Sequence, residues 1–345
     1  MQDMKKIVTL KSIFESLQWQ NSSAKLPLAV GRNNDGEAVV LDLARLPHLL
    51  IAGMTGSGKS VCMDSIILSL LSKFSCDELN FILADLKVVE FEQYRDIKHL
   101  KFPVLTEPAD VLNALKWCVA EMNRRYMVLA NAGCKTNSQY NAAGYGKMPY
   151  IIFVLDELSD VMLGDKKAAS SAEKAICKIC QRGRAAGIHL VISTQRPSKK
   201  VVTPQIAANI PSCIAFKMWA RDGMCFIENG MTEQLEDSGD MIFMSFGNTN
   251  CQYVRGAFAS EQTKSRIIDS VKSDSVQEID TVSSETRKYF REGDNQEFLR
   301  VLALALEEPG KITPSYLQRV LEIGYNQAAE DMDILRERGV IPPAK

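Results

Sequence analysis

The sequence predicts an α/β fold, a mostly parallel sheet flanked by helices, followed by a small helix-turn-helix module. Three observations predict it. Short β-rich apolar runs alternate with longer segments of helical period, a glycine-rich loop joins one such run to one such segment, and a polar stretch separates the last fifty or so residues from the rest.

Residues 1–47 contain a predicted helix, TLKSIFESLQW, and a hairpin-like segment, LPLAVGRNNDGEAVVLDLA, turned by Asn34, Asp35 and Gly36. They read as a short lead-in to a main domain over residues 48–272. Its predicted strands are LLIAG (49–53), NFILADL (80–86), YIIFVLDEL (150–158), HLVISTQ (189–195), CIAFKMW (213–219) and MIFMSF (241–246). Residues 273–295 turn polar without a sustained apolar stripe, which marks a linker. Residues 296–345 hold three helical stretches, EFLRVLALALEE, PSYLQRVLEI and YNQAAEDMDILRERG, with Gly324 as a helix stop and Asn326 as a cap.

Composition narrows the function classes. A net charge of -1 excludes an overall polyanion-binding excess, so any nucleic-acid surface must be local. No apolar run approaches the roughly 18 residues that span a bilayer, and the N-terminus lacks a signal-peptide core, so the chain reads as cytoplasmic. The nine cysteines mostly sit in apolar segments and read as reduced, buried thiols. Cys177 and Cys180 form a CxxC, but no second pair or histidine cluster completes a zinc site.

The stretch Gly53, Met54, Thr55, Gly56, Ser57, Gly58, Lys59, Ser60 fits G-x-x-x-x-G-K-[ST] at every fixed position, with Val61 beginning the helical run that follows. Glycines let the loop's backbone amides turn inward around phosphate oxygens, and the next helix directs its positive end at the anion. Lys59 is placed to reach the β- and γ-phosphates and Ser60 to hold Mg²⁺. Nucleotide hydrolysis also needs a metal-holding acid and a group that orients water. The run IIFVLDE carries Asp156 and Glu157 out at a strand end: Asp156 is expected in the Mg²⁺ shell, Glu157 beside the attacking water. Thr194 and Gln195 end another strand, where they could sense the γ-phosphate.

The ordered segments LPHLLIAGMTGSGKSVCM, FILADLKVVEF, EMNRRY, YIIFVLDELSDVM, RGRAAGIHLVISTQRPS, ANIPSCIAF and TEQLEDSGDM resemble the motor domain of the FtsK/SpoIIIE family of DNA translocases, over about residues 26 to 260. SYLQRVLEIGYNQAAEDMDILRERGVI resembles that family's winged-helix γ domain. The resemblance implies a RecA-like ATPase core plus a small winged-helix domain, using ATP and Mg²⁺ and assembling as a homo-hexamer around double-stranded DNA. It puts Gly53 to Ser60, Asp156, Glu157, Thr194 and Gln195 in the roles just derived.

In such a ring a neighbour's arginine neutralises charge on the γ-phosphoryl group. Arg184 matches a position usually basic in the family, with Arg182 and Arg125 as weaker candidates. Lys199 and Lys200, in the loop after TQRP, are the candidate DNA-phosphate contacts.

Several positions depart from the family pattern. Leu86 stands between Asp85 and Lys87 where relatives commonly have proline. Met224 stands near a usual arginine, which Arg221 could replace, and Ala207 stands where lysine is usual. In the tail, Gln327 and Glu330 replace basic residues, leaving Asn326 and Gln327 as candidate base contacts.

Cellular members of the family carry an N-terminal membrane anchor, and the 47 residues ahead of this motor suggest a shortened form or a stand-alone mobile-element relative. The reading is a double-stranded DNA translocase in chromosome segregation or mobile-element DNA handling, with a site-specific recombinase or a membrane channel as further partner. The alternatives are a conjugative coupling ATPase and a secretion ATPase that moves protein.

Overall fold

Successive residues of a strand face opposite sides of a sheet, and the apolar runs here are apolar on both. Leu49 and Ile51 join one core cluster, whereas Leu50 and Ala52 join the other. Strands buried on both faces belong to a sheet covered by helices on each side. The computed structural model describes residues 7–210, 212–218, 231–235, 238–245, 251–272, 298, 301–302, 305, 312–321 and 324–342. The chain divides into two compact units, 1–276 and 277–345.

The first unit is built on a nine-stranded sheet of order β2-β1-β9-β8-β7-β3-β6-β5-β4. The strands are β1 (Pro27–Arg32), β2 (Ala38–Asp42), β3 (Leu49–Ala52), β4 (Leu79–Ala84), β5 (Tyr150–Leu155), β6 (Ile188–Thr194), β7 (Cys213–Phe216), β8 (Asp240–Met244) and β9 (Gln252–Gly256). Strands β7, β3, β6, β5 and β4 run parallel, and β8, β9, β1 and β2 extend the sheet antiparallel. The expected parallel sheet is thus the half that carries β3, β5 and β6.

Helices cover both faces. On one side, α3 (Lys59–Leu71) buries Met63, Ile66, Ile67 and Leu70. On the other, α4 (Pro108–Asn131) buries Val111, Leu115, Cys118 and Met122. Beside it α7 (Lys166–Ala186) buries Ala172, Ile176, Ile179 and Ala186, at the spacing that keeps one helical face turned inward. Short helices α5 (Asn137–Ala142), α6 (Leu158–Met162) and α8 (Pro204–Asn209) lie in the connections, and α9 (Glu261–Asp269) packs on α3. No helix among the described residues is long and apolar enough to cross a membrane.

The first 47 residues differ from the lead-in expected of them. Helices α1 (Leu10–Phe14) and α2 (Leu17–Gln20) bury Leu10, Ile13 and Trp19 in the same cluster as α3. The predicted hairpin forms β1 and β2, and β1 pairs with β9, so this segment completes the sheet of the first unit. A sequence reading could not find this, because the partner strand lies more than two hundred residues away.

The second unit packs Phe298, Val301, Leu302, Ala305, Ile312, Leu317, Ala328, Met332, Leu335 and Ile341 into its own core. Its described helices are α10 (Pro314–Leu321) and α11 (Tyr325–Glu337), in contact as a helix-turn-helix reading requires. Gly324, not Asn326, is the N-cap: its carbonyl accepts from the Ala328 amide at 2.9 Å, placing Asn326 inside the first turn. The linker expected at 273–295, most of the helix expected from residue 297, and Arg221 and Met224 lie outside the described residues.

Candidate active site

The glycine-rich loop lies between the end of β3 at Ala52 and the start of α3 at Lys59. It is held from several sides. The Gly53 amide donates to the Thr194 carbonyl at 3.3 Å and the Met54 amide to the Lys217 carbonyl at 3.1 Å, tying the loop to the ends of β6 and β7. From the approach to β8, the Ser238 hydroxyl donates to the Gly56 carbonyl at 2.9 Å and the Gly239 amide to the Ser57 carbonyl at 2.8 Å.

Gly58 has φ of +110°, and a Cβ there would stand 2.9 Å from the Gly239 backbone, so both conformation and close approach require glycine. No side chain caps the N-terminus of α3, and its positive end faces the loop. The buried Ser57 hydroxyl has no partner among the described residues. A cradle of this kind suits an anion.

Lys59 is buried, 4% exposed, and its ammonium reaches Asp156 Oδ1 at 2.9 Å, the Asp156 carbonyl at 3.3 Å and Ser193 Oγ at 3.0 Å. A buried charge needs such a partner. Asp156, expected in a metal shell beside Ser60, holds Lys59 through its Oδ1, and the Ser60 hydroxyl donates to Glu90 Oε1 at 2.7 Å. An arriving phosphate would compete with Asp156 for the ammonium.

Glu157, 3% exposed, is fixed by several donors. Its Oε1 accepts from Thr194 Oγ1 at 2.8 Å and the Ser159 amide at 3.2 Å, and its Oε2 from the Gln195 amide at 3.0 Å. Burial pushes its carboxyl up, but the bonds from Thr194, Ser159 and Gln195 outweigh burial and hold it below the usual carboxylate range. Glu157 is therefore ionised at neutral pH. Gln195 Oε1 accepts from Thr55 Oγ1 at 2.7 Å, so a continuous chain of bonds links the phosphate loop, Gln195 and Glu157. Lys87 Nζ lies 3.7 Å from Glu157 Oε2, and Lys87, Glu157, Ser159, Asp160, Gln195 and Arg196 line an open cavity of about 490 Å³.

Residues 53–61, Asp156, Glu157, Thr194 and Gln195 thus converge at the C-terminal ends of β3, β5 and β6, where parallel sheets carry ligands. Arg184 does not. It ends α7, before β6 begins, so the seven-residue strand, roughly 20 Å long, separates it from the site. It is exposed and its Nε donates to the Ala44 carbonyl at 3.1 Å. Arg182 stacks its guanidinium on the Tyr126 ring at 4.7 Å. Arg125 is ruled out as an arginine offered to a neighbour: it is 2% exposed, paired with Glu121, and bonded to the Pro149 and Ala186 carbonyls at 2.8 Å each.

Lys199 and Lys200 are exposed in the turn between β6 and α8. In the second unit Asn326 is exposed, whereas the Gln327 side chain donates to Asp331 Oδ1 at 3.1 Å.

Three participants escaped the sequence reading. Ser193 was signalled only as a small polar residue inside an apolar strand. Glu90 and the Ser238–Gly239 strap lay within segments that carry the family resemblance, FILADLKVVEF and TEQLEDSGDM, but no role was assigned to them.

Magnesium fits the oxygens here. Ser60, Glu90 and Asp156 offer the hard oxygen donors that this ion takes beside substrate phosphates.

The FtsK/SpoIIIE family matches residues 9–147 and 142–199, and the Ftsk gamma domain matches residues 293–345. DNA translocase FtsK of Clostridium tetani is 39% identical over 345 residues, covering 97% of this chain and 46% of that protein. DNA translocase SpoIIIE of Bacillus subtilis is 38% identical over 350 residues, covering 98% and 44%. The chain therefore spans less than half the length of these curated relatives.

Among solved structures, the pCW3 conjugation coupling protein TcpA, in its monomer form with ATPγS, superposes with a TM-score of 0.62 at 26% identity, covering 73% of this chain and 72% of that one. The cytoplasmic domain of the Thermomonospora curvata type VII secretion ATPase EccC shares the fold, with a TM-score of 0.65 at 20% identity over 79% of this chain and 35% of that one. From the loop, the acidic strand end and the extent of these matches, the chain belongs to the FtsK/SpoIIIE family.

Proposed function

We propose that this chain is the ATP-hydrolysing motor of a double-stranded DNA translocase, acting as a homo-hexamer around the duplex in chromosome segregation or mobile-element DNA handling. The observation that carries the reading is Glu157, held ionised by Thr194, Ser159 and Gln195 beside a phosphate loop whose lysine is already desolvated. The naming of the curated relatives as DNA translocases supports the choice of cargo.

In this reading Lys59 leaves Asp156 for the β- and γ-phosphate oxygens, and the loop amides and the end of α3 take the remaining charge. Mg²⁺, held by Ser60 with Asp156 nearby, would supply charge neutralisation at the same oxygens. Glu157 orients the attacking water. The bond from Thr55 to Gln195, and from Gln195 to Glu157, passes the state of the γ-phosphate to the base. Arg184 serves a neighbouring subunit's nucleotide, and Lys199 and Lys200 touch DNA phosphates.

The test is ATP turnover with and without linear duplex DNA. Turnover stimulated by DNA and lost in Glu157→Gln is the expected result; turnover indifferent to DNA but raised by a protein substrate mixture would replace the reading with a secretion ATPase. The likeness to TcpA favours one second reading, a coupling ATPase for conjugative DNA transfer. It shares the DNA response and differs in requiring a membrane partner.

A further inference from the structure

We propose that Glu90 is a positioning residue for the metal: its carboxylate takes the hydrogen of the Ser60 hydroxyl and so aims the serine's lone pairs at Mg²⁺. The proposal rests on the ATPase reading above and adds to it a residue outside the phosphate loop and the acidic strand.

A serine hydroxyl has one hydrogen and two lone pairs. If the hydrogen points at the cation, the oxygen cannot coordinate well; a fixed acceptor on the far side removes that orientation. In this structure the Asp156 carboxylate is turned to the Lys59 ammonium, with Oδ1 at 2.9 Å, and is not the acceptor of the Ser60 hydroxyl. Glu90 Oε1 receives the Ser60 hydroxyl at 2.7 Å.

The loop that delivers Glu90 is held rigidly. Asp85, at the end of β4 and 1% exposed, accepts the amides of Lys87 at 3.2 Å, Val89 at 2.9 Å, Glu90 at 2.7 Å and Phe91 at 2.9 Å. Phe91 and Tyr94 anchor the far end in the core. Within this loop Val88 has φ of +56°, a conformation a β-branched residue disfavours, yet its side chain is exposed and gains little burial there. The carboxylate of Asp85 thus imposes a backbone path that brings Glu90 to Ser60.

A carboxylate behind a metal ligand fixes its orientation and raises its basicity, and losing such a partner typically weakens metal affinity by 10–100-fold. Because Glu90 acts through Ser60, its effect must vanish when the serine hydroxyl is gone. Because it acts on the metal, nucleotide binding without metal must survive.

The experiment titrates Mg²⁺ into the full chain with a fluorescent ATPγS analogue, for wild type, Glu90→Ala, Glu90→Gln, Ser60→Ala and the Glu90→Ala/Ser60→Ala pair. Mn²⁺ replaces Mg²⁺ in a parallel electron paramagnetic resonance titration. Glu90→Ala is expected to raise the Mg²⁺ midpoint roughly 10–100-fold, with analogue binding in EDTA unchanged. Glu90→Gln, which keeps an acceptor oxygen, falls between, and Glu90→Ala adds nothing in the Ser60→Ala background. Should Glu90→Ala fail to fold, the shift in Glu90→Gln carries the test. The proposal is overturned if the midpoints of wild type and the folded Glu90 variants coincide, if the Glu90→Ala effect persists undiminished without the Ser60 hydroxyl, or if binding in EDTA falls by the same factor. A wild-type chain with no metal-dependent ATPγS binding would overturn the ATPase reading as well, which separates the two failures.

Discussion

All three histidines are buried: His48 leads into β3, His99 follows β4, and His189 lies in β6. Burial lowers His48 to about 3, with nearby His189 adding to the effect, and burial lowers His189 to about 4. His99 is lowered in the same direction by its burial. In the folded chain the His48 and His189 rings stay neutral while the unfolded chain protonates them near pH 6.5. Between the folded and unfolded values the unfolded state therefore binds more protons, so stability falls as pH falls. Going from pH 7 to pH 5 costs about 2 kcal/mol for each of His48 and His189, or about 4 kcal/mol for the pair.

The assay is urea unfolding at both pH values for wild type and a His48→Gln/His189→Gln variant. Tryptophan fluorescence reports the first unit alone, since Trp19, Trp117 and Trp219 all precede residue 277. The variant is expected to be less stable at pH 7 but to lose about 4 kcal/mol less on acidification, with single variants losing about 2 kcal/mol less each. Equal acid losses in wild type and variants would refute the assignment of the pH dependence to these rings.

Lys59→Ala leaves the Asp156 carboxylate buried without its ammonium, so denaturant unfolding should show a loss of about 3–5 kcal/mol along with weakened ATP binding. Glu157→Gln should still bind ATP while single-turnover hydrolysis slows by at least about a hundredfold; wild-type turnover would remove its catalytic role. Mixing Arg184→Ala with Lys59→Ala subunits should restore part of the ATPase activity, because Arg184 lies a strand's length from its own nucleotide site. Activity that only dilutes, with both variants assembled, would place Arg184 outside catalysis. From residue 294 onward nine acids face six Lys and Arg, so a polarisation titration of residues 294–345 should show weak duplex binding and no preference for guanine-rich over scrambled sequence. Tight, guanine-preferring binding would mean that side chains other than Gln327 and Glu330 read the groove.

The sequence alone determined the features that are local in the chain. The Gly53–Ser60 loop, the acids at the end of YIIFVL and the Thr-Gln pair at the end of HLVIST are each set by a few adjacent residues whose backbone preferences and spacing suffice. Parallel strands then bring them together, because all three sit at the same kind of strand end. Everything that depended on distant partners was decided by tertiary structure. The hairpin Pro27–Asp42 became part of the sheet only because β9 supplies an edge for β1. Arg125, an exposed arginine by default in sequence, is buried where the Pro149 and Ala186 carbonyls both accept from its Nη1. Asp156 meets Lys59 across ninety-seven residues of chain, since a buried ammonium needs a carboxylate partner. Glu90, one acid among many in the text, reached Ser60 because Asp85 gathers four backbone amides and folds the loop between them. Contacts such as Ser60 to Glu90, Arg125 to Ala186 and Lys59 to Asp156 close across thirty to ninety-seven residues of chain, and no local pattern encodes which groups will meet.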